Sequence, residues 1–160
     1  MFYINIIFYI HYLSLKGGVS SPQVLSNYIN FYGNLIKMAD SSLVTLLDAL
    51  DSYGMTNNTI VVRTADHGEM GLTHGRSRQK YFSAYKEVID VPLVFSNPLI
   101  WPKPVVSDAL VGHVDFVPTI ASLIGTKPEA IKKAAWAGVD YSSIIEGRAK
   151  DVQDYVLFVW

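Results

Sequence analysis

From Gln23 to Tyr53 apolar side chains recur at helical spacing, through Tyr28, Phe31, Tyr32, Leu35, Ala39, Leu43, Leu46, Leu47 and Leu50. Asn27, Asn30, Asn34, Lys37, Asp48 and Asp51 fall on the opposite face. The pattern predicts one long amphipathic helix, packed along its apolar side. Gly54 stands where a C-terminal glycine closes such a helix, and Ser41-Ser42 offers a place for a bend. After the turn residues Thr56-Asn57-Asn58, the run Thr59-Ile60-Val61-Val62-Arg63-Thr64 is β-branched and predicts a strand. An apolar run entered from a helix suggests a central strand of a parallel sheet.

Further along, Glu69 to Lys80 is a polar loop with Gly71 and Gly75, and Tyr81 to Glu87 is expected as a short aromatic helix. Val91 to Ser96 predicts a second strand, with Pro92 near its start. A proline-rich loop reaches Pro104, and Val105-Val106-Ser107 reads as extended. His113 to Ile124 predicts a helix closed by Gly125, with Pro118 in its first turn. Short helices are expected over Lys127 to Ala135 and Tyr141 to Ile145, and a last strand over Val156 to Val159. Alternation of helix and strand without internal repeats argues for an α/β fold.

Composition narrows the function classes. The 160 residues are half apolar and 17% charged, which suits a folded domain. A formal net charge of -1 gives no electrostatic case for nucleic acid or an anionic membrane. Cysteine is absent, so disulfides, thiolate metal sites and a cysteine nucleophile are excluded within this sequence. Residues 1–22 stand apart as an uncertain apolar segment and loop, leaving 23–160 as the domain. Phe2 to Leu15 is apolar but holds Asn5 and His11, is shorter than a spanning helix, and has no preceding basic residue. It allows three readings: a degenerate signal or anchor, a buried element, or a sequence left by a displaced start site.

The candidate chemistry sits at the end of the first strand. Open α/β sheets place ligands at the carboxyl ends of strands, where Asp66-His67-Gly68 falls. A carboxylate and an imidazole side by side can reach one divalent cation, and the glycine lets the backbone turn away. An isolated Asp-His-Gly is also a common turn. The loop cations Arg76, Arg78 and Lys80 suit an anionic ester, or form an ordinary solvated loop. His74 is a candidate general acid or a loop histidine. Asp115, just after His113, reads as a structural acid in a first helical turn.

In order along the chain these residues resemble the sulfatase family of the alkaline phosphatase-like superfamily. The resemblance rests on Tyr32-Gly33-Asn34-Leu35-Ile36 with Asp40, on Leu46 to Leu50, and above all on Asn58 to Met70. It continues through Gln79-Lys80, Tyr85, Val91-Pro92-Leu93-Val94, His113 to Ile120 and Ala137-Gly138-Val139-Asp140. It implies a partial sandwich with a mostly parallel central sheet flanked by helices. It implies hydrolysis of sulfate monoesters on small molecules or glycans, with Asp66 and His67 as metal ligands and Lys80 touching the sulfate. The implied metal is calcium, with manganese the alternative, and the implied nucleophile is a formylglycine made from Cys or Ser. Lys86 rivals Lys80 but falls where the family usually has an acid. By family habit the location is exported or periplasmic, with the cytoplasm left open.

The departures bear on activity. The Cys/Ser-x-Pro/Ala-x-Arg nucleophile motif and two further ligand acids do not occur, and Ser20-Ser21-Pro22 lacks the motif's arginine. Asp90 replaces a common arginine, and Arg63 interrupts the strand. The expectation is a sulfatase fragment, from a truncated gene model or a split polypeptide, inactive alone. A phosphodiester or phosphonate monoester hydrolase, and a non-catalytic metal-binding or interaction protein, are the alternatives.

Overall fold

The computed structural model describes residues 21–77, 80 and 83–158, without the side chain of Arg76. Two compact units divide the chain after Pro102. In the first, helix α1 spans Pro22–Ser52. Ser21 caps it, its Oγ accepting from Val24 N, and Pro22 supplies the preset φ of a first helical residue. The helix runs unbroken through Ser41 and Ser42, whose hydroxyls donate back to the Lys37 and Met38 carbonyls. Gly54, at φ 66°, ends it: Gly54 N donates to Asp51 O and Met55 N to Leu50 O.

No residue of α1 is buried. Phe31 and Met38 are 63% and 67% exposed, so the apolar stripe predicted for packing faces outward over most of its length. A cleft of about 290 Å³ lies where its last turns, through Leu47, Leu50 and Asp51, approach Val61, Ser96 and Pro98.

Strands β1 (Val61–Thr64) and β2 (Leu93–Ser96) pair antiparallel, Val61 opposite Ser96 and Thr64 opposite Leu93. The mixed helix and strand content fits the expected α/β class, but the mostly parallel central sheet is not seen among the described residues, where the sheet is this one antiparallel pair. The physical reason shows in burial. A central parallel strand is covered on both faces, whereas Val61 and Val62 are half-buried and Arg63 and Thr64 exposed. Arg63 pairs with Asp40 of α1 at 3.6 Å, which accounts for a charge in this strand.

Between the strands, the expected helix over Tyr81 to Glu87 is displaced. Residues 81 and 82 lie outside the described residues, 83–85 are irregular, and helix α2 spans Lys86–Ile89. Asn97 closes β2. It is 2% exposed, its Nδ2 donates to Asn57 O and Thr59 O, and its Oδ1 accepts from Leu99 N and Ile100 N.

In the second unit a 3-10 turn, His113–Asp115, leads into α3 (Phe116–Leu123), followed by α4 (Pro128–Ala134) and α5 (Ser142–Ile145). Gly125 ends α3 as predicted, at φ 79°. The unit centres on Asp115, Thr119, Ala121 and Tyr141. The strand expected over Val156 to Val159 is not formed at 156–158, and Val159 lies outside the described residues. Val105 and Val106 are irregular and exposed.

Candidate functional site

β1 delivers Ala65 and Asp66 directly beyond its last residue, Thr64. The Asp66 side chain is 84% exposed and that of His67 42%. Asp66 Oδ1 accepts from His67 N at 3.0 Å, which turns its other oxygen, Oδ2, toward His67 Nε2 at 3.3 Å. His67 Nδ1 lies 2.9 Å from Gly68 O. A carbonyl only accepts, so this contact assigns a proton to Nδ1 and leaves Nε2 bare in the neutral ring. The same device sets the tautomer of metal-binding histidines.

Gly68 is there for a different reason from the one read in the sequence. It is not among the glycines with positive φ. Its N–H donates to Val88 O at 2.8 Å, and a Cβ at this position would lie 2.0 Å from Glu87 O. Close approach to the α2 backbone, not a sharp turn, demands glycine. The loop carrying Asp66 and His67 is thereby tied to α2, and Met70 and Val88 are buried.

His74 belongs to a tight turn, Thr73–Arg76, in which His74 and Gly75 take left-handed φ values of 47° and 82°. Its ring stacks on Tyr85, centroids 3.8 Å apart, and its Nε2 meets Glu87 Oε2 at 3.1 Å. The Glu87 carboxyl is held below its ordinary range, first by its own backbone N–H and then by the bond from His74. Glu87 was not singled out in the sequence. It lies 13 residues from His74 in an unremarkable Lys-Glu pair, and no local pattern marks it.

Lys80 is half-buried, and its carbonyl accepts from Ser83 Oγ. Among the described residues nothing joins it to Asp66 or His67. Arg78 lies outside the described residues. Lys86, the rival of Lys80, is tied to Asp90 on α2. No group of three or more His, Asp or Glu suited to a metal occurs among the described residues. The cleft beside α1 is walled by none of Asp66, His67, His74 or Lys80.

Asp115, in the other unit, is 2% exposed. Its carboxylate accepts from Gly112 N, Val139 N and Gln153 Nε2, each at 2.8 Å. A buried carboxylate bonded to three donors of its own unit ties segments together. The structural role read for it holds, at a larger scale than one helical turn.

Comparison with known proteins completes the picture. The sulfatase family model matches residues 11–126. The Delta 4,5-hexuronate-2-O-sulfatase of Bacteroides thetaiotaomicron is 32% identical over 137 residues, which is 84% of this chain and 27% of that protein. Arylsulfatase K of Xenopus laevis is 34% identical over 121 residues, 73% of this chain and 22% of its own. The N-acetylglucosamine-6-O-sulfatase of Bacteroides thetaiotaomicron is 27% identical over 142 residues, 88% of this chain and 24% of its own. The chain thus spans about a quarter of the length of the relatives it matches. Asp66, His67 and the two strands all fall inside the matched region, and the chain belongs to the sulfatase family.

Proposed function

We propose that Asp66 and His67 are two ligands of a divalent cation in a sulfate-ester hydrolase site, and that this chain supplies that edge of the site. One observation supports it above the rest: Asp66 Oδ2 and His67 Nε2 face each other at 3.3 Å. With Nδ1 protonated against Gly68 O, an ionised Asp66 and a neutral His67 ring face each other with two acceptors. Two acceptors at that distance repel unless positive charge sits on one or between them. The two atoms are close enough together that one cation would be held by both.

Calcium takes about six to eight oxygen ligands, so this pair fills part of its shell; manganese is the alternative. The bound cation would act as Lewis acid and template. Asp66 and His67 would hold it, and Lys80 would offset sulfate charge in the transition state. A formylglycine nucleophile has no precursor motif in this sequence, so the chain alone is expected not to turn over. Relatives named for hexuronate, N-acetylglucosamine and ulvan sulfates point to a sulfated sugar as the substrate of the whole enzyme. The remaining strands of a mostly parallel sheet would belong to that whole enzyme as well.

Calorimetry with calcium, then manganese, tests the reading. Binding is expected for the wild type, weakened at least about tenfold, or about 1.4 kcal/mol, by Asp66→Ala. Absence of heat with both metals, or equal binding by the variant, would overturn it. Hydrolysis of an aryl sulfate by the chain alone at an ordinary enzymatic rate would overturn the expected inactivity.

A further inference from the structure

The ligand pair and His74 share one support. Gly68, next to His67, donates its N–H to Val88 O at 2.8 Å and lies against the Glu87 carbonyl. The Glu87 side chain, on the same turn of α2, holds His74 Nε2 at 3.1 Å. Tyr85, immediately before α2, stacks on the His74 ring with 16° between the planes.

The imidazole is therefore fixed in two ways, yet its Nδ1 makes no hydrogen bond among the described residues. The ring remains 39% exposed. Its backbone sits in the left-handed region, at φ 47°, between Leu72 at φ 74° and Gly75 at φ 82°. Non-glycine residues persist there only where their surroundings hold them. One nitrogen engaged by a carboxylate, the other uncommitted and the ring immobilised are the attributes of an imidazole arranged to meet a ligand.

We propose that Glu87 is a positioning residue that, with Tyr85, holds His74 so that Nδ1 meets an oxygen of an oxyanion bound at the Asp66–His67 edge. The oxyanion is a sulfate ester in turnover and inorganic sulfate in the test. Carrying a proton, Nδ1 donates to the ligand oxygen while Nε2 donates to Glu87. This inference rests on the metal-site reading above.

The test follows the histidine ring nitrogens of the full chain by long-range proton–nitrogen NMR, first with calcium and then with sodium sulfate. Calcium is expected to move His67, and sulfate then to move His74 Nδ1. Glu87→Gln keeps an acceptor for Nε2–H and is expected to retain the sulfate response. Glu87→Ala is expected to weaken that response about fivefold, the worth of one net hydrogen bond, and to erase the upfield ring shift caused by Tyr85. Tyr85→Leu provides a second route, removing the stack while keeping the carboxylate, and unchanged circular dichroism confirms folding of each variant. Sulfate moving His67 but not His74, or an undiminished response in both Glu87→Ala and Tyr85→Leu, overturns the inference alone. Calcium and sulfate leaving both His67 and His74 unmoved overturns the metal-site reading and the proposed role together.

Discussion

Asp66 and Asp115 each lie within two residues of a histidine, yet the sequence reads the first as a candidate ligand and the second as a structural acid. The structure separates them. Asp115 is buried, and three donors, one from its own turn and two from distant segments, end on its carboxylate. Asp66 is exposed, and among the described residues its two oxygens meet its own neighbour, His67. A carboxylate whose lone pairs are consumed by the protein holds the protein together. One that stands in the open, with an oxygen facing only a neighbouring imidazole nitrogen among the described residues, has capacity left for a ligand. The pair teaches that adjacency of acid and imidazole says little, and that hydrogen-bond satisfaction decides.

The largest effect expected from breaking this contrast is Asp115→Ala. It leaves the N–H groups of Gly112 and Val139 without their acceptor and the Gln153 amide with only its bond to Leu110 O. Each lost bond to a charged acceptor costs about 1.5–3 kcal/mol, so a loss of about 3 kcal/mol or more in urea denaturation is expected. Asp115→Asn recovers little, because its amide hydrogens then point at some of the same donors. A loss below about 1 kcal/mol would show that Asp115 is not the tie described here.

Glycine substitutions come next and sharpen the comparison within each unit. A Cβ on Gly138 would lie 2.1 Å from Val114 O, and one on Gly68 2.0 Å from Glu87 O. Both obstacles are backbone, so overpacking of about 1–3 kcal/mol is expected for Gly138→Ala and Gly68→Ala. The consequences diverge. Gly138→Ala disturbs the peptide preceding Val139, a donor to Asp115, and leaves calcium binding intact. Gly68→Ala pushes the ligand loop off α2 and is expected to lose calcium binding as well. Calorimetry and denaturation on both variants separate the two outcomes, and retained calcium affinity in Gly68→Ala would contradict the role given to that close approach.

How much of this was readable in advance follows from distance along the chain. Helix α1 and its closing glycine were legible because periodicity and Gly54 act within a few residues, whereas Ser21 and Pro22, read as loop, prove to be its cap and first residue. Asp66-His67 was legible for the same reason, both partners being neighbours just past a β-branched run. Strand direction was not, since Val61 pairs with Ser96 across a long excursion and no local pattern fixes its sense. Val156 to Phe158 has the composition of a strand and no ladder, because propensity without a pairing partner does not make one. The Glu87–His74 pair and the Val139 and Gln153 bonds to Asp115 join residues 13, 24 and 38 apart. Gly68 was noticed for the wrong property: the sequence suggests a turn, and only the packed backbone of Glu87 reveals the close approach.

At the exposed carboxylate the expected effect on stability is small. Asp66→Ala removes no buried bond, so a change within about 0.5 kcal/mol is expected in the same urea series. This is the reverse of Asp115→Ala. A large destabilisation here would mean that Asp66 serves the fold and would remove the contrast between the two aspartates.

The smallest effect is a pH dependence. Burial, and then the nearby Asp115 charge, push the Tyr141 hydroxyl up from 10 to about 12. A folded pKa above the unfolded one means that between pH 10 and 12 the unfolded chain gives up a proton that the folded one keeps. Stability is therefore expected to be flat up to about pH 10 on this account and to fall as pH rises toward 12. Phenolate absorbance of wild type and Tyr141→Phe isolates this titration from those of the other tyrosines. Removing the charge by Asp115→Asn takes away the second cause and is expected to bring the Tyr141 titration back part of the way toward 10, with burial holding the rest. Ionisation of Tyr141 at its ordinary pH in the folded chain would show that the interior around Asp115 is open to water, and the distinction between the buried and exposed aspartates would then rest on hydrogen bonds alone.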